Sequence, residues 1–358
     1  MRPPNAIDFW RGVALVMIFI NHIPGMDYSI LTMRNYAISD AAELFVFLAG
    51  CSLAFVVNGR PEKKPLSHSV SRLLLRAFEI WQAQIVTISV AVAMLGAAAL
   101  YFNDPLFLEW HGAGPAFVDT VRASIGMVLL TYQIGYFNIL PLYVVLLLIA
   151  TVAVVIARVS LWLALAASIA LYAATLTLQL RLPSWPAEGA WFFNPLSWQL
   201  LIVLGYVAMT VKREHPGAEE FLKRAWPWAT ALMLFGTAVV WVDYRPDPMV
   251  VPFPQYLFLF DKEYLSPARI VSMLAIAIAF YPAFPLLSRR IGPVVRYCSR
   301  LGRNSLAVFC MASLLALGGQ IARYLGQPTL LFDTAIVVIG LVVLGVTAWI
   351  AEFRSSSA

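Results

Sequence analysis

Ten stretches of this chain have close to the length of a membrane-crossing helix and carry few charges. They run roughly over residues 8–25, 40–58, 73–101, 137–157, 160–180, 193–211, 226–242, 268–287, 304–321 and 330–351. About 20 apolar residues rising 1.5 Å each span a bilayer core. No water reaches the backbone there, so such runs must bond internally, as helices. The fold class expected is therefore all-α, a polytopic membrane helical bundle of about ten transmembrane helices. Composition agrees: 61% of residues are hydrophobic and 12% charged, against about 25% charged in soluble domains. No polar stretch is long enough for a soluble domain, so residues 1–358 are expected to form a single integral-membrane domain.

The net charge is +6. A basic balance can signal nucleic acid, but that requires a basic face with aromatic platforms. Here the cations sit in short loops between apolar runs, which is a topology signal, and no nucleic-acid partner is expected. An even number of spans puts both termini on one side. With the amino terminus inside, Arg34, Arg122, Arg181, Arg245, Lys262, Arg269 and Arg323 fall outside and Arg11 lies within the first span. The other 17 of the 25 Lys and Arg, among them Arg2, Arg60, Lys63 and Lys64, then fall inside. That asymmetry predicts cytoplasmic termini. The first run has no small-residue cleavage region and keeps its charges, so it reads as a span rather than a removable signal peptide. The outer loops are long and aromatic, as in "YFNDPLFLEWHGAGPAF", "LPSWPAEGAWFFNP" and "DYRPDPMVVPFPQYLFLFDKEY", while the inner loops are short and basic. Residues 118–133 are expected as a short amphipathic outer helix. Cys51, Cys298 and Cys310 have no metal-type spacing, so neither a metal site nor a disulfide is expected.

The first span, "AIDFWRGVALVMIFINHIPG", places ionisable groups at both ends. Asp8 and Arg11 are three positions apart and share a face. His22 follows Arg11 by eleven positions, about three turns and about 16 Å, on nearly the same stripe. An Asp or Arg at mid-membrane costs roughly 2.5–3.5 kcal/mol on insertion scales, which makes the stripe a functional hypothesis. In the bland alternative Asp8 and Arg11 pair at the inner boundary and His22 bonds in the outer headgroup layer. That accounts for each residue but not for the common face. Glu43, just under one turn into the second span, reaches a depth similar to His22. It is positioned to accept the imidazole N–H, leaving the other nitrogen as a general base; pairing with Asn21 or snorkelling outward is the alternative. "SRLLLRAFEIW" carries Arg72, Arg76 and Glu79 at helical spacing. With Arg11 they outline a cytoplasmic anion site, or else a positive-inside anchor. The basic loop "SRRIGPVVRYCSRLGRNS" suits anionic lipid; within it Arg300 and Arg303, abutting the ninth span, are the better ligand candidates.

These segments carry a resemblance. An Arg and a His with ten residues between them in the first span, Arg11 and His22, look like the signature of the membrane acyltransferase family three. "ELFVFLAGCSLAF", "SRLLLRAFEIW" and "LGRNSLAVFCMAS" resemble its second-span, third-span and late motifs. More narrowly, "AIDFWRGVALVMIFINHIPG", "NILPLYVVLLL", "FNPLSWQLLIVLGY" and "LGRNSLAVFCMAS" together resemble the OpgC-type branch, the succinyltransferases of osmoregulated periplasmic glucans. Two departures stand out: "VFCMAS" lacks the histidine many members have there, and "NILPLYV" replaces an acidic motif.

The resemblance implies a transferase of the bacterial inner membrane that moves an acyl group, succinyl in this branch, from cytoplasmic acyl-CoA to hydroxyls of a periplasmic glucan. Acyl-CoA (succinyl-CoA) is then a co-substrate, and no permanently bound cofactor is implied. His22 would be the general base, oriented by Glu43, with Asn21 as oxyanion donor. Arg11, Arg72, Arg76, Asp8, Arg300 and Arg303 would form the donor-binding end. Trp110, His111, Trp185 and Trp191 of the outer loops would meet the glucan, or else belong to the interfacial aromatic belt. Membrane lipid is the remaining partner, and oligomeric state, a homo-oligomer included, is left open. Rival readings are an acetyltransferase acting on another extracytoplasmic glycan and a lipid-binding structural subunit. A third is a proton-coupled transporter using Asp8, His22, Glu43 and Glu79.

Overall fold

A computed structural model of the chain describes residues 3–57 and 65–357, with side chains through Phe353. Arg2, Arg60, Lys63 and Lys64 of the charge asymmetry lie outside the described residues. The helices are α1 (Ala6–Asn21), α2 (Ala41–Val57), α3 (Leu66–Phe102), α4 (Gly114–Val118), α5 (Thr120–Val128), α6 (Ile139–Ala157) and α7 (Leu161–Leu178). They continue as α8 (Pro195–Glu214), α9 (Ala218–Trp241), α10 (Pro267–Ala279), α11 (Ala283–Arg290), α12 (Gly292–Arg303), α13 (Ser305–Leu325) and α14 (Leu330–Ser357). No β-strand occurs among the described residues, only an isolated bridge between Pro183 and Ala190.

Every one of the ten expected spans coincides with helix, but fewer meet a span's requirements. Among the described residues, six helices (α3, α6, α7, α8, α13 and α14) are long and apolar enough to cross a membrane, seven if α10 and α11, bent by 52°, form one broken span. The reason lies in helix ends and charges. At 16 residues α1 is short, because Pro24 and then Gly25 at φ +75° interrupt the chain just beyond it. α2 has 17 residues. Conversely, α3 runs 37 residues, about 55 Å, longer than a hydrocarbon core of about 30 Å. The expected outer helix over 118–133 is shorter, with nine residues in α5 and Val121, Ile125 and Val128 exposed.

The segment expected as a basic inner loop is largely helical. Pro293 opens α12, and Val295, Cys298, Ser299, Leu301 and Gly302 form its buried face. That periodicity is amphipathic, and its apolar stripe docks on α1. The crossing is very close: a Cβ on Gly12 would stand 1.9 Å from the carbonyl oxygen of Cys298, and one on Gly302 would stand 1.8 Å from that of Asp8. A second reciprocal crossing joins α2 to α8, where a Cβ on Gly50 would meet the Ile202 carbonyl at 2.1 Å and one on Gly205 the Phe47 carbonyl at 2.2 Å. Small residues let backbones approach where lipid offers no hydrophobic drive between helices. Only glycine fits at these four positions without a shift of backbone, so α12 is held against the stripe of α1 and α2 is held against α8. Side chains exposed on α14, such as Val338, Ile339 and Val342, form a separate face from buried Val337, Leu344 and Ala348.

Candidate functional site

Asn5 caps α1: its side-chain oxygen accepts from the Asp8 backbone N–H at 2.9 Å, and its amide donates to the Asp8 carboxylate at 2.6 Å. One turn on, Arg11 donates to the Ser52 hydroxyl at 2.5 Å and to the Leu48 carbonyl at 3.2 Å. Both acceptors are on α2. Arg11 is thereby drawn along α2, and it borders two cavities. The wider, about 1190 Å³, is also bordered by Asp8, Arg72, Lys212, Arg303 and Glu352. It touches both the start of α1 and the end of α14, so the two ends of the described chain converge there. The narrower, about 560 Å³, reaches between α2, α3, α6 and α13 past Arg72, Arg76, Tyr143 and Phe309. Arg11, Ser52, Val56, Arg72 and Arg303 border both. The Tyr143 hydroxyl is buried with no hydrogen-bond partner among the described residues.

Of the cations expected at this end, Arg11 and Arg72 meet in both cavities. Arg76 borders the narrower one and is tied to Glu79 at 2.8 Å on an exposed face. Arg300 and Arg303 bond Glu352 at 3.1 and 2.7 Å, so their charge is shared with a carboxylate of α14. Lys212, counted from the sequence only as an inner topology charge, and Ser52, given no role there, join the set.

At the far end of α1, His22 caps the helix and borders a third cavity of about 630 Å³ with Asn21, Asp40, Tyr136, Lys262 and Arg269. The His22 ring stacks on Tyr136, centroids 4.6 Å apart at 17°. Its Nδ1 is buried without a hydrogen-bond partner among the described residues. Its backbone carbonyl accepts from the Gln320 amide at 2.5 Å, and the Gln320 oxygen lies 2.7 Å from Nε2 of His111. Because the amide nitrogen must face the carbonyl, the Gln320 oxygen is left as acceptor, and His111 carries its proton on Nε2. Burial holds His111 below its ordinary pKa, with the bond to Gln320 opposing the shift. The Asn21 side chain meets the Thr32 hydroxyl at 2.8 Å, a hydroxyl that also reaches the Ser29 carbonyl at 2.7 Å, and Asn21 borders the cavity.

The expected bond from Glu43 to the imidazole is absent. Glu43 is fully buried, and its carboxylate receives Arg269 at 2.5 Å and the Asp40 backbone N–H at 3.1 Å. Asp40 in turn holds Lys262 at 2.5 Å. A buried carboxylate needs a partner that is itself well placed, and Arg269 from the first turn of α10 reaches it before His22 does. Arg269 had been counted as an outer topology charge. Its signal was indirect, since a glutamate buried in the first turn of an apolar helix requires a cation from elsewhere. Tyr136 has no signal in its loop sequence. Gln320 has one, as a polar side chain near the end of an apolar span.

Trp110, Trp185 and Trp191 do not border the outer cavity. Trp191 is a buried core residue, Trp110 packs against Phe107 and Tyr324, and Trp185 is 41% exposed. The aromatic walls are instead Tyr136, Phe192, Phe193, Tyr244 and Phe260. His111 stands behind Tyr136, their centroids 5.5 Å apart. The inner and outer cavities share no bordering residue, yet consecutive residues Ile139 and Leu140 border the outer and the narrower inner one. Among the described residues, no group of three His, Cys, Asp or Glu is placed to hold a metal.

The family model described as OpgC protein matches residues 4–356, and the chain belongs to that family. No curated protein matches the sequence. The family name points to a role in modifying osmoregulated periplasmic glucans, and the long apolar helices to a multi-pass membrane protein.

Proposed function

From that membership, we propose that this protein is an O-acyltransferase of the bacterial inner membrane, a member of the wider membrane acyltransferase family three. It moves an acyl group, succinyl by family resemblance, from cytoplasmic acyl-CoA to hydroxyls of a periplasmic glucan. One observation carries the reading: a single helix presents Arg11 to a cation-lined cavity at one end and His22, with an unpartnered ring nitrogen, to an aromatic cavity at the other. Their separation, about 16 Å along α1, compares with an extended pantetheine arm, on the order of 15–20 Å.

The convergence of both chain ends on the Arg11 cavity and the excess of cations in the inner loops support a cytoplasmic donor side. Arg11, Arg72 and Lys212 would meet the donor phosphates, and Tyr143 offers its hydroxyl to the arm in the narrower cavity. Ile139 and Leu140 stand between the outer cavity and the narrower inner one, and in this scheme side-chain movement there admits the thioester to the outer cavity. His22 takes the proton from a glucose hydroxyl as its oxygen attacks the thioester carbonyl. The Asn21 amide faces the developing oxyanion. The intermediate collapses with loss of the C–S bond, the thiolate regains a proton as free CoA, and the glucan leaves as an ester. Glu43 acts at one remove, by anchoring Arg269 in the cavity wall. The aromatic walls supply faces for sugar rings.

The test uses the purified protein in proteoliposomes of known orientation, with labelled acyl-CoA on one side and glucan on the other. Transfer from the side carrying the chain ends, abolished in His22→Ala, is the expected result. Transfer independent of His22, or glucan flux without acyl donor, overturns the reading.

A further inference from the structure

Two aromatic rings at the rim of the inner cavity have no part in the scheme above. Trp349 and Phe353 lie one turn apart on α14, both border the wide cavity, and their rings stack with centroids 6.0 Å apart at 27°. They are 53% and 62% exposed. An aromatic at a helix end commonly belongs to the membrane interface, but here two further features act together. First, Glu352, between them in sequence, is gripped by Arg300 at 3.1 Å and Arg303 at 2.7 Å. These ion pairs bind the last turns of α14 to α12, and α12 is bound to α1 through the Gly12 and Gly302 crossing. The stacked pair is therefore held at a set position relative to Arg11. Second, the same cavity is bordered by Arg11, Arg72 and Lys212, so the rings and the cations line one space. A π-face that shares a cavity with guanidinium and ammonium groups matches a purine attached to phosphates. At about 1190 Å³, the cavity is large by the standard of small-molecule sites, about 300–1,000 Å³, with room for more than a phosphate.

We propose that Trp349 and Phe353 form a purine-stacking shelf for the nucleotide of the donor, and that the Arg300–Glu352–Arg303 cluster positions this shelf. The inference rests on the reading of the donor as acyl-CoA. It also gives Arg300 and Arg303 a different task from phosphate binding: they hold the platform.

The experiment compares two donors with the same acyl group, acyl-CoA and acyl-pantetheine, the second having no purine. In Trp349→Ala the KM for acyl-CoA is expected to rise about tenfold, the order of one base–aromatic stack, while that for acyl-pantetheine moves less than twofold. Trp349→Phe, which keeps a ring, should recover most of the loss and guards against misfolding as the cause. Equal changes for both donors, or none for either, overturn the shelf. Calorimetric titration with CoA alone reads the shelf without turnover. Binding about tenfold weaker in Trp349→Ala supports it, and unchanged affinity overturns it. Wild-type protein that binds CoA through Trp349 but transfers no acyl group overturns the transfer reading and leaves the shelf standing, whereas wild-type protein that binds no CoA overturns both.

Discussion

The two ends of α1 are built on opposite principles. At the Arg11 end, cations from α1, α3, α8 and α12 gather around open space, and only some are matched by carboxylates such as Glu79 and Glu352. At the His22 end, three cations are matched in close pairs, Arg269 with Glu43, Lys262 with Asp40 and Arg245 with Asp243, while Arg34 also borders the cavity. The groups left facing the cavity there include an imidazole, an amide and aromatic rings. A surplus of cations suits a site that waits for an anionic ligand. Largely paired charge around an imidazole suits a site where a proton moves and stray fields would disturb it. One end is arranged to bind, the other to react, and substitutions at the two should separate accordingly.

The largest effect is expected at the reacting end. His22→Ala should lower kcat by about 10²–10⁴-fold, the range for a lost general base, with KM for the donor within twofold and an unchanged circular dichroism spectrum. A raised KM with kcat preserved would exchange the roles of the two ends. Next, Glu43→Ala leaves Arg269 buried without its closest partner. Breaking a buried pair in this way costs about 3–5 kcal/mol, so the detergent-solubilised variant should melt well below the wild type. An unchanged Tm would mean that the outer pairs do not stabilise that wall.

At the binding end, Arg11→Ala removes one charge-assisted contact, about 1.5–3 kcal/mol. The KM for acyl-CoA should rise by about 10–100-fold with kcat much less affected, and steady-state kinetics on reconstituted protein would show it. A fall in kcat alone would move Arg11 into the chemistry. The smallest effect concerns His111. Its native pKa lies below the ordinary value of about 6.5. Below about pH 6.5 the unfolded chain therefore binds a proton that the native state resists, and stability is lost as the pH falls from there through the native pKa. His111→Asn removes this titration while tolerating the residue's positive φ of 59°. The drop in Tm between pH 8 and pH 5.5 should shrink in the variant, and an identical drop in both proteins would assign the acid sensitivity elsewhere.

Much of this was legible in the chain. The apolar runs announce helices because the bilayer leaves the backbone no other partner, and every one of them coincides with helix. Arg11 and His22 could be set on one stripe because helical rise and turn are local properties. Span number was less legible, since the Pro24–Gly25 interruption and the bend between α10 and α11 act through the backbone rather than through composition. α12 was readable in principle from Val295, Cys298, Leu301 and Gly302, but its three arginines, with Arg289 and Arg290 just before it, disguised a docking face as a loop. The partner of Glu43 was not readable at all: depth along two helices allowed His22, and the choice of Arg269 depended on how α10 meets α2.

The sequence by itself determined the material of the molecule, apolar helices with a guanidinium and an imidazole about three turns apart on the first, because periodicity and the solvation of the backbone act within a few residues. Only the tertiary structure decided which charges cancel and which stay available. Arg269 quenches Glu43, Glu352 engages Arg300 and Arg303, and Tyr136 rather than a tryptophan lies against His22. Those outcomes follow from how α10 meets α2, how α14 meets α12 and where the loop carrying Tyr136 lies against α1, and Coulomb energy and ring stacking depend on distances that only the packed helices fix.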